Sequence, residues 1–210
     1  MSEVYSWSVK QLIEVSASDS PTPGGGSVSA LVASLGVAMV AMVGNLTVGK
    51  EKYKEVEAET KEILAEANAI ISKLEYLVEA DIAEFSKFMA VLKMPKNTDE
   101  EKAERTKVMQ ATLVSATDTP MEIARTCLAA LKLADRLSGI GNKGAISDVG
   151  VGAYVAEAAL NSALLSVDIN LPGIKDVDYV ARVGAERNAL VAEAQVLKEI
   201  AVAKVQERLK

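Results

Sequence analysis

Between Asp19 and Lys50 the chain carries no charged residue. Its first part, Pro21-Thr22-Pro23-Gly24-Gly25-Gly26-Ser27, cannot continue a helix, because prolines lack the amide donor and glycines gain too much freedom by leaving one. The remainder, Ser27 to Gly49, is Ala, Val, Leu, Met and Gly with scattered hydroxyls. A stretch of this length and composition fits either a bilayer, which asks for about 20 apolar residues, or the centre of a helical bundle. Ser27, Ser29, Ser34, Asn45 and Thr47 favour the bundle, as do the small residues and the lack of Trp or Tyr at either end. No second span is expected. The expectation is a buried central helix and no membrane.

The other segments also read as helix. Ser8 with Gln11 is a capping-box start for a short first helix. Val56, Ile63, Ile70 and Leu77 recur every seven residues, with Ala67 and Leu74 between them, predicting a long helix near 51–93 that Pro95 ends. Thr98 and Glu101 form a second capping box, opening a helix to about Ser115. Thr119-Pro120-Met121-Glu122 forms a third, opening a helix to about Ser138. A second glycine-rich loop, Gly139 to Gly144, precedes Ser147-Asp148 and a helix to about Asn170. Pro172-Gly173 ends that helix, and Asp176 starts the last one. No segment alternates with period two. The fold class is therefore all-α, a single domain over residues 1–210 with six or seven helices, and such long apolar faces suit a homodimer.

Composition narrows the chemistry. There is no histidine, which excludes Ser-His-Asp and Cys-His devices and histidine-bearing zinc sites. The lone Cys127, among apolar neighbours, reads as a buried small hydrophobe and supports neither a disulfide nor a cysteine metal site. Net charge is −6 with only eight aromatics (five Tyr, two Phe, one Trp), so the chain offers little to nucleic acid. The start, Met1 to Trp7, lacks a basic segment followed by an apolar one, and a cytoplasmic location is expected.

Asp81 breaks the helical pattern most sharply. It stands four residues after Leu77 and four before Phe85, on a face where an apolar residue is expected. A carboxylate there needs a partner or a ligand, since burying it alone costs several kcal/mol. The triple glycine before an apolar helix suits close approach to a helix N-terminus, although a plain connector is the simpler alternative. Asn142, Ser147 and Asp148 repeat that design at the second loop, where simple N-capping is the alternative.

Taken together and in order, four stretches resemble the cyclodeaminase/cyclohydrolase family of folate enzymes. They are Pro21 to Ser27, Asn45-Leu46-Thr47-Val48-Gly49-Lys50-Glu51-Lys52-Tyr53, Asp81, and Gly141 to Val151, followed by Val167-Asp168-Ile169-Asn170-Leu171. That family includes the C-terminal half of formiminotransferase-cyclodeaminase and stand-alone methenyltetrahydrofolate cyclohydrolases. The resemblance implies chemistry at the carbon bridging N5 and N10 of tetrahydrofolate. Either 5-formiminotetrahydrofolate closes with loss of ammonia, or water opens the 5,10-methenyl ring to 10-formyltetrahydrofolate. Family naming puts the cyclodeaminase first; the lack of a transferase half here favours the cyclohydrolase. A helical scaffold without catalysis is the remaining alternative.

Both reactions need a proton carrier and negative charge near a cationic bridge carbon. With no histidine, the resemblance implies Asp81 and Asp148 as catalytic carboxylates converging on one pocket roofed by both glycine loops. Lys50 is implied as an acid or as an anchor for the glutamate tail. Gly24, Gly25, Gly26, Ser27, Asn45, Tyr53, Asn142 and Ser147 are implied as substrate contacts. No metal and no organic cofactor is expected; folate is the substrate.

Overall fold

The computed structural model describes residues 4–210; Met1, Ser2 and Glu3, part of the opening stretch read above for a leader, lie outside the described residues. Six α-helices follow in order: α1 (Val9–Ser16), α2 (Gly25–Thr47), α3 (Glu57–Leu92), α4 (Asp99–Ile140), α5 (Ile146–Asn170) and α6 (Val177–Leu209). No strand occurs among the described residues. α2 sits against α3, α4 and α5, and α6 closes the far side against α4 and α5. One apolar core runs through all five long helices.

Three of the six helix starts are capped by a local side chain. The Ser8 and Thr98 hydroxyls accept from the amides of Gln11 and Glu101, at 3.1 and 3.2 Å. The Glu101 carboxylate accepts in turn from the Thr98 amide, completing the capping box. Asp176 accepts from the amides of Asp178 and Tyr179.

Three boundaries differ from the sequence expectation. Glu51–Val56 is a short 3-10 helix, and the long helix starts at Glu57. Tyr53 leaves helical geometry (φ −115°, ψ 16°), which lets its hydroxyl accept from the Lys143 amide at 2.9 Å. The second boundary concerns Pro120: the helices expected on either side of Thr119 are one 42-residue helix, α4, with Pro120 inside it. Proline removes an amide donor and orphans the carbonyl four residues earlier. That carbonyl, Ala116 O, accepts instead from Asn170 Nδ2 at 3.0 Å. The hydroxyl of Thr119 turns back to Ser115 O at 3.4 Å and caps nothing.

The third boundary lies at the second glycine loop, where α5 begins at Ile146, ahead of Ser147. Asn142 caps the preceding turn Lys143–Ala145 by accepting from the Gly144 amide at 3.0 Å. Ser147 is exposed and does not act as the cap.

α2 and α5 run antiparallel and touch closely. A Cβ on Gly152 would lie 2.8 Å from Gly36 O and 2.7 Å from Val40 Cγ2, so only glycine permits this approach. Both α2 and a second stretch that was not expected, 143–173, are long and apolar enough to cross a membrane by length and composition. Of their most apolar windows, 61% and 50% are buried inside the bundle, so the pair forms its centre. The unburied part of α2 includes a row, Val28, Val32, Leu35, Met39, Met42 and Leu46, spaced alternately four and three residues apart.

Candidate active site

The first glycine loop, α3 and the ends of α2 and α5 enclose a cleft of about 390 Å³. The Thr22–Pro23 peptide is cis and Pro23 is buried, while Gly24, Gly25 and Gly26 form the wall where α2 starts. Facing them on one side of α3 are Asp81, Glu84, Phe85 and Phe88, whose spacing of three, four and seven residues keeps them on one face. Leu113 and Ala116 of α4, Ser166, Ile169 and Asn170 of α5 and Gly173 beyond it complete the lining.

Asp81 is fixed from the glycine wall. The Ser27 hydroxyl donates to its Oδ2 at 2.6 Å, and the Ser27 amide also donates to the carboxylate. Any side chain on Gly26 would overlap the carboxyl group, so the third glycine is a steric requirement of this contact. Burial nevertheless dominates and lifts the Asp81 pKa above the usual carboxylate value, with the two Ser27 bonds pulling the other way.

Glu84 is also partly desolvated, but hydrogen bonds from Lys87 Nζ (2.7 Å) and the Ser115 hydroxyl (2.6 Å) outweigh this and hold it below its ordinary value. Two carboxyl groups one turn apart are thus driven in opposite directions. One is suited to carrying a proton and the other to staying anionic.

The other predicted residues gather elsewhere. The Asn142 amide donates to the Thr47 hydroxyl (2.8 Å) and its Nδ2 donates to Leu46 O (2.8 Å), tying the second glycine loop to the end of α2. Tyr53 bridges Asn142 and Lys143. Asn45 and Lys50 are exposed at this end, and Ser147 and Asp148 lie in the first turn of α5. The 23 residues of α2 separate this cluster from the cleft, roughly 33 Å at 1.5 Å per residue. Within one subunit, Asp81 and Asp148 therefore do not converge, and the two glycine loops do not roof one pocket.

The sequence model of the formiminotransferase-cyclodeaminase family matches residues 8–189. The chain belongs to that family. A methenyltetrahydrofolate cyclohydrolase from Methylorubrum extorquens is 39% identical, over 91% of this chain and 92% of that one. A formimidoyltransferase-cyclodeaminase from Gallus gallus is 33% identical over 90% of the chain, which spans only 35% of that longer relative. The crystal structure of formiminotetrahydrofolate cyclodeaminase from Thermotoga maritima superimposes with a TM-score of 0.83 at 28% identity, covering 99% of this chain and 98% of that one. Membership in the formiminotransferase-cyclodeaminase family makes the chain an enzyme, and the all-helical fold agrees with that structural neighbour.

Sequence reasoning found Asp81, the three glycines and Ser27, and the structure brings these five together. It missed Glu84, although a carboxylate three residues after Asp81 on the same helix face was a legible signal. It also passed over Asn170, whose side chain is needed only because Pro120 lies inside a helix.

Proposed function

We propose that the protein is a methenyltetrahydrofolate cyclohydrolase, with Asp81 as its proton carrier. The observation that carries this choice is the 39% identity over nearly the whole of both chains with the Methylorubrum extorquens protein of that name. In this reading the pteridine ring lies against Phe85 and Phe88, whose flat faces suit a fused heteroaromatic. The bridge carbon faces Asp81 beside the glycine wall, where little side-chain bulk intervenes.

Water then adds through oxygen to the bridge carbon while the Asp81 carboxylate takes one of its protons. The resulting carbinolamine is neutral. Asp81 returns the proton to N5 as the C–N5 bond breaks, and the remaining hydroxyl proton leaves as the formyl C=O forms on N10. The net change is cation plus water to formyl amide plus one proton. A carboxyl group with an elevated pKa suits both transfers. Ionised Glu84, held by Lys87 and Ser115, supplies negative charge near the cationic bridge. The chemistry uses only the chain's own groups and invokes no metal or organic cofactor.

The second reading is the cyclodeaminase, favoured by the likeness in fold to the Thermotoga maritima formiminotetrahydrofolate cyclodeaminase. Here N10 attacks the formimino carbon and gives its proton to the Asp81 carboxylate, which passes it to the amino group as that C–N bond breaks and ammonia leaves. The same cleft serves both directions, so one experiment separates them. Purified protein is mixed with 5,10-methenyltetrahydrofolate in one cuvette and 5-formiminotetrahydrofolate in another, and the methenyl absorbance is followed. An accelerated fall in the first supports the cyclohydrolase; a rise in the second with no accelerated fall in the first replaces it with the cyclodeaminase. Neither change, at protein concentrations matching the folate, overturns the folate assignment.

A further inference from the structure

The cleft has two polar walls of different kinds. On α3 stand the carboxyl groups of Asp81 and Glu84, and on α5 the neutral side chains of Ser166 and Asn170. Each of these helices packs on α2 and α4 rather than on the other, so the two walls face each other diagonally across the bundle. The hydroxyls of Ser27 and Ser115 are committed to Asp81 and Glu84. Those of Thr22 and Ser166, which line the cleft, have no hydrogen-bond partner among the described residues. Thr22 also borders a second cavity behind the glycine loop, with Trp7, Val15 and Ile82, whereas Ser166 opens on the cleft.

The state of Ser166 is out of keeping with its place inside a helix. A hydroxyl there commonly turns back to the carbonyl four residues earlier. Ser29, Ser34 and Thr47 of α2 do so, as do Ser86 of α3 and Ser162, one turn before Ser166 in α5. Ser166 is half-buried, and its hydroxyl is left to whatever occupies the cleft.

Helix register brings Ser166 level with Asp81. A Cβ on Gly26 would meet the Asp81 carboxyl group where α2 passes α3, and Gly36 and Val40 stand against Gly152 where α2 passes α5. Because α2 and α5 are antiparallel, the level of Gly26 falls ten residues beyond Gly152 counted from Gly36, and fourteen beyond it counted from Val40. That is between Ser162 and Ser166. Ser162 is exposed and bonded to Ala158 O, so Ser166 is the hydroxyl that reaches the cleft, within about one turn, ~5 Å along the bundle, of Asp81. α3 and α5 run the same way, so Phe85, against which the pteridine lies in the folate reading, is level with Asn170, one turn further on.

We propose that Ser166 is a second catalytic contact, whose Oγ holds the attacking water against the bridge carbon while Asp81 acts on that water from the other wall. This step rests on the cyclohydrolase reading. Phe85, Phe88, Leu113 and Ala116 make most of the surroundings apolar, and a water ordered there needs polar partners. A serine oxygen has two acceptor sites to offer. As the water oxygen bonds to the bridge carbon, one of its hydrogens passes to the Asp81 carboxylate and the other points at Ser166 Oγ, which leaves a lone pair aimed at the carbon. The same contact holds the new C–OH group until its proton is lost as the formyl C=O forms. Ser166 keeps its own proton throughout.

Steady-state kinetics of Ser166→Ala on 5,10-methenyltetrahydrofolate test this role. Alanine is the better helix former, so the fold is kept, and Tm checks that it is. The expected result is a kcat lower by about tenfold, the weight of one neutral hydrogen bond, with KM changed by less than about twofold. The pH profile should stay in place, because Ser166 makes no bond to Asp81. Ser166→Thr, which keeps the hydroxyl, should recover most of kcat. A raised KM at unchanged kcat would make Ser166 a ring contact and overturn its hold on water. Wild-type kinetics in Ser166→Ala, or a threonine variant as slow as the alanine one, would overturn it as well. In each of those cases an active wild type leaves the cyclohydrolase reading standing. A wild type that does not accelerate loss of the methenyl band overturns that reading, and the role of Ser166 with it.

Discussion

Asp81 concentrates the physical tension of the site. Its carboxylate is held for function by two donors from Ser27, yet burial disfavours its ionised form. A carboxyl whose pKa is raised by folding binds its proton more tightly in the native state, so it contributes stability below its ordinary value of 3.8 and loses that contribution as pH rises through the native value. Near neutral pH the ionised group therefore weighs against folding. Asp81→Asn should lower turnover by about 10²–10⁴-fold, the usual weight of a general acid–base group, while raising Tm near neutrality. The Tm gain should shrink as pH falls through the raised native value and be gone below 3.8. If the Asp81→Asn variant proved less stable than wild type at neutral pH, the burial account would be contradicted.

Ser27→Ala tests the same balance from the other side, since it removes a donor to the anion. The acid limb of kcat/KM should move to higher pH, with turnover at limiting pH cut by roughly tenfold, as expected for a hydrogen bond to a charged group worth about 1.5–3 kcal/mol. A pH–rate profile measures both effects.

At the level of elements, the instructive case is α4. Thr119-Pro120-Met121-Glu122 has every local mark of a helix start. What those marks omit is a residue 50 positions away: Asn170 supplies the donor that the Ala116 carbonyl loses to proline, so the helix runs on unbroken. The repeat of Ser-Asp after the second glycine loop misleads for a similar reason, because Asn142 has already taken the capping role. By contrast the stripe of α3, the boxes at Ser8 and Thr98 and the oddity of Asp81 were legible, since each depends only on spacing within one helix. The separation of Asp81 from Asp148 was not, because it depends on which ends of α2 and α5 lie side by side.

The Pro120–Asn170 pairing makes a prediction at this scale. Asn170→Ala should destabilise by about 1 kcal/mol, the cost of leaving a part-buried carbonyl without its donor. In a Pro120→Ala background, where an amide is restored to that carbonyl, the same substitution should cost distinctly less. A double-mutant cycle by denaturant unfolding reads the coupling; strict additivity would remove Asn170 from this role.

Across the whole molecule, Cys127 offers a built-in reporter of cooperativity. It lies at 0% exposure inside α4, where that helix packs into the shared core, and burial pushes its thiol up to about 12. Two barriers therefore stand against a thiol reagent in the native protein: access, and the scarcity of thiolate near neutral pH. Every long helix contributes to the core around it, so no single helix can leave without exposing the interior as a whole. Labelling should then require global rather than local opening. For stabilities of about 5–15 kcal/mol, that slows reaction by roughly 10³-fold or more relative to the unfolded chain. The rate should follow the unfolding free energy as mild urea is added, with a slope matching the full equilibrium m-value. Folate bound at the cleft should slow labelling further by mass action, in step with its saturation, although the thiol is no part of the cleft lining. A labelling rate insensitive to urea would instead reveal local opening of α4, with Pro120 as the natural place for it to begin.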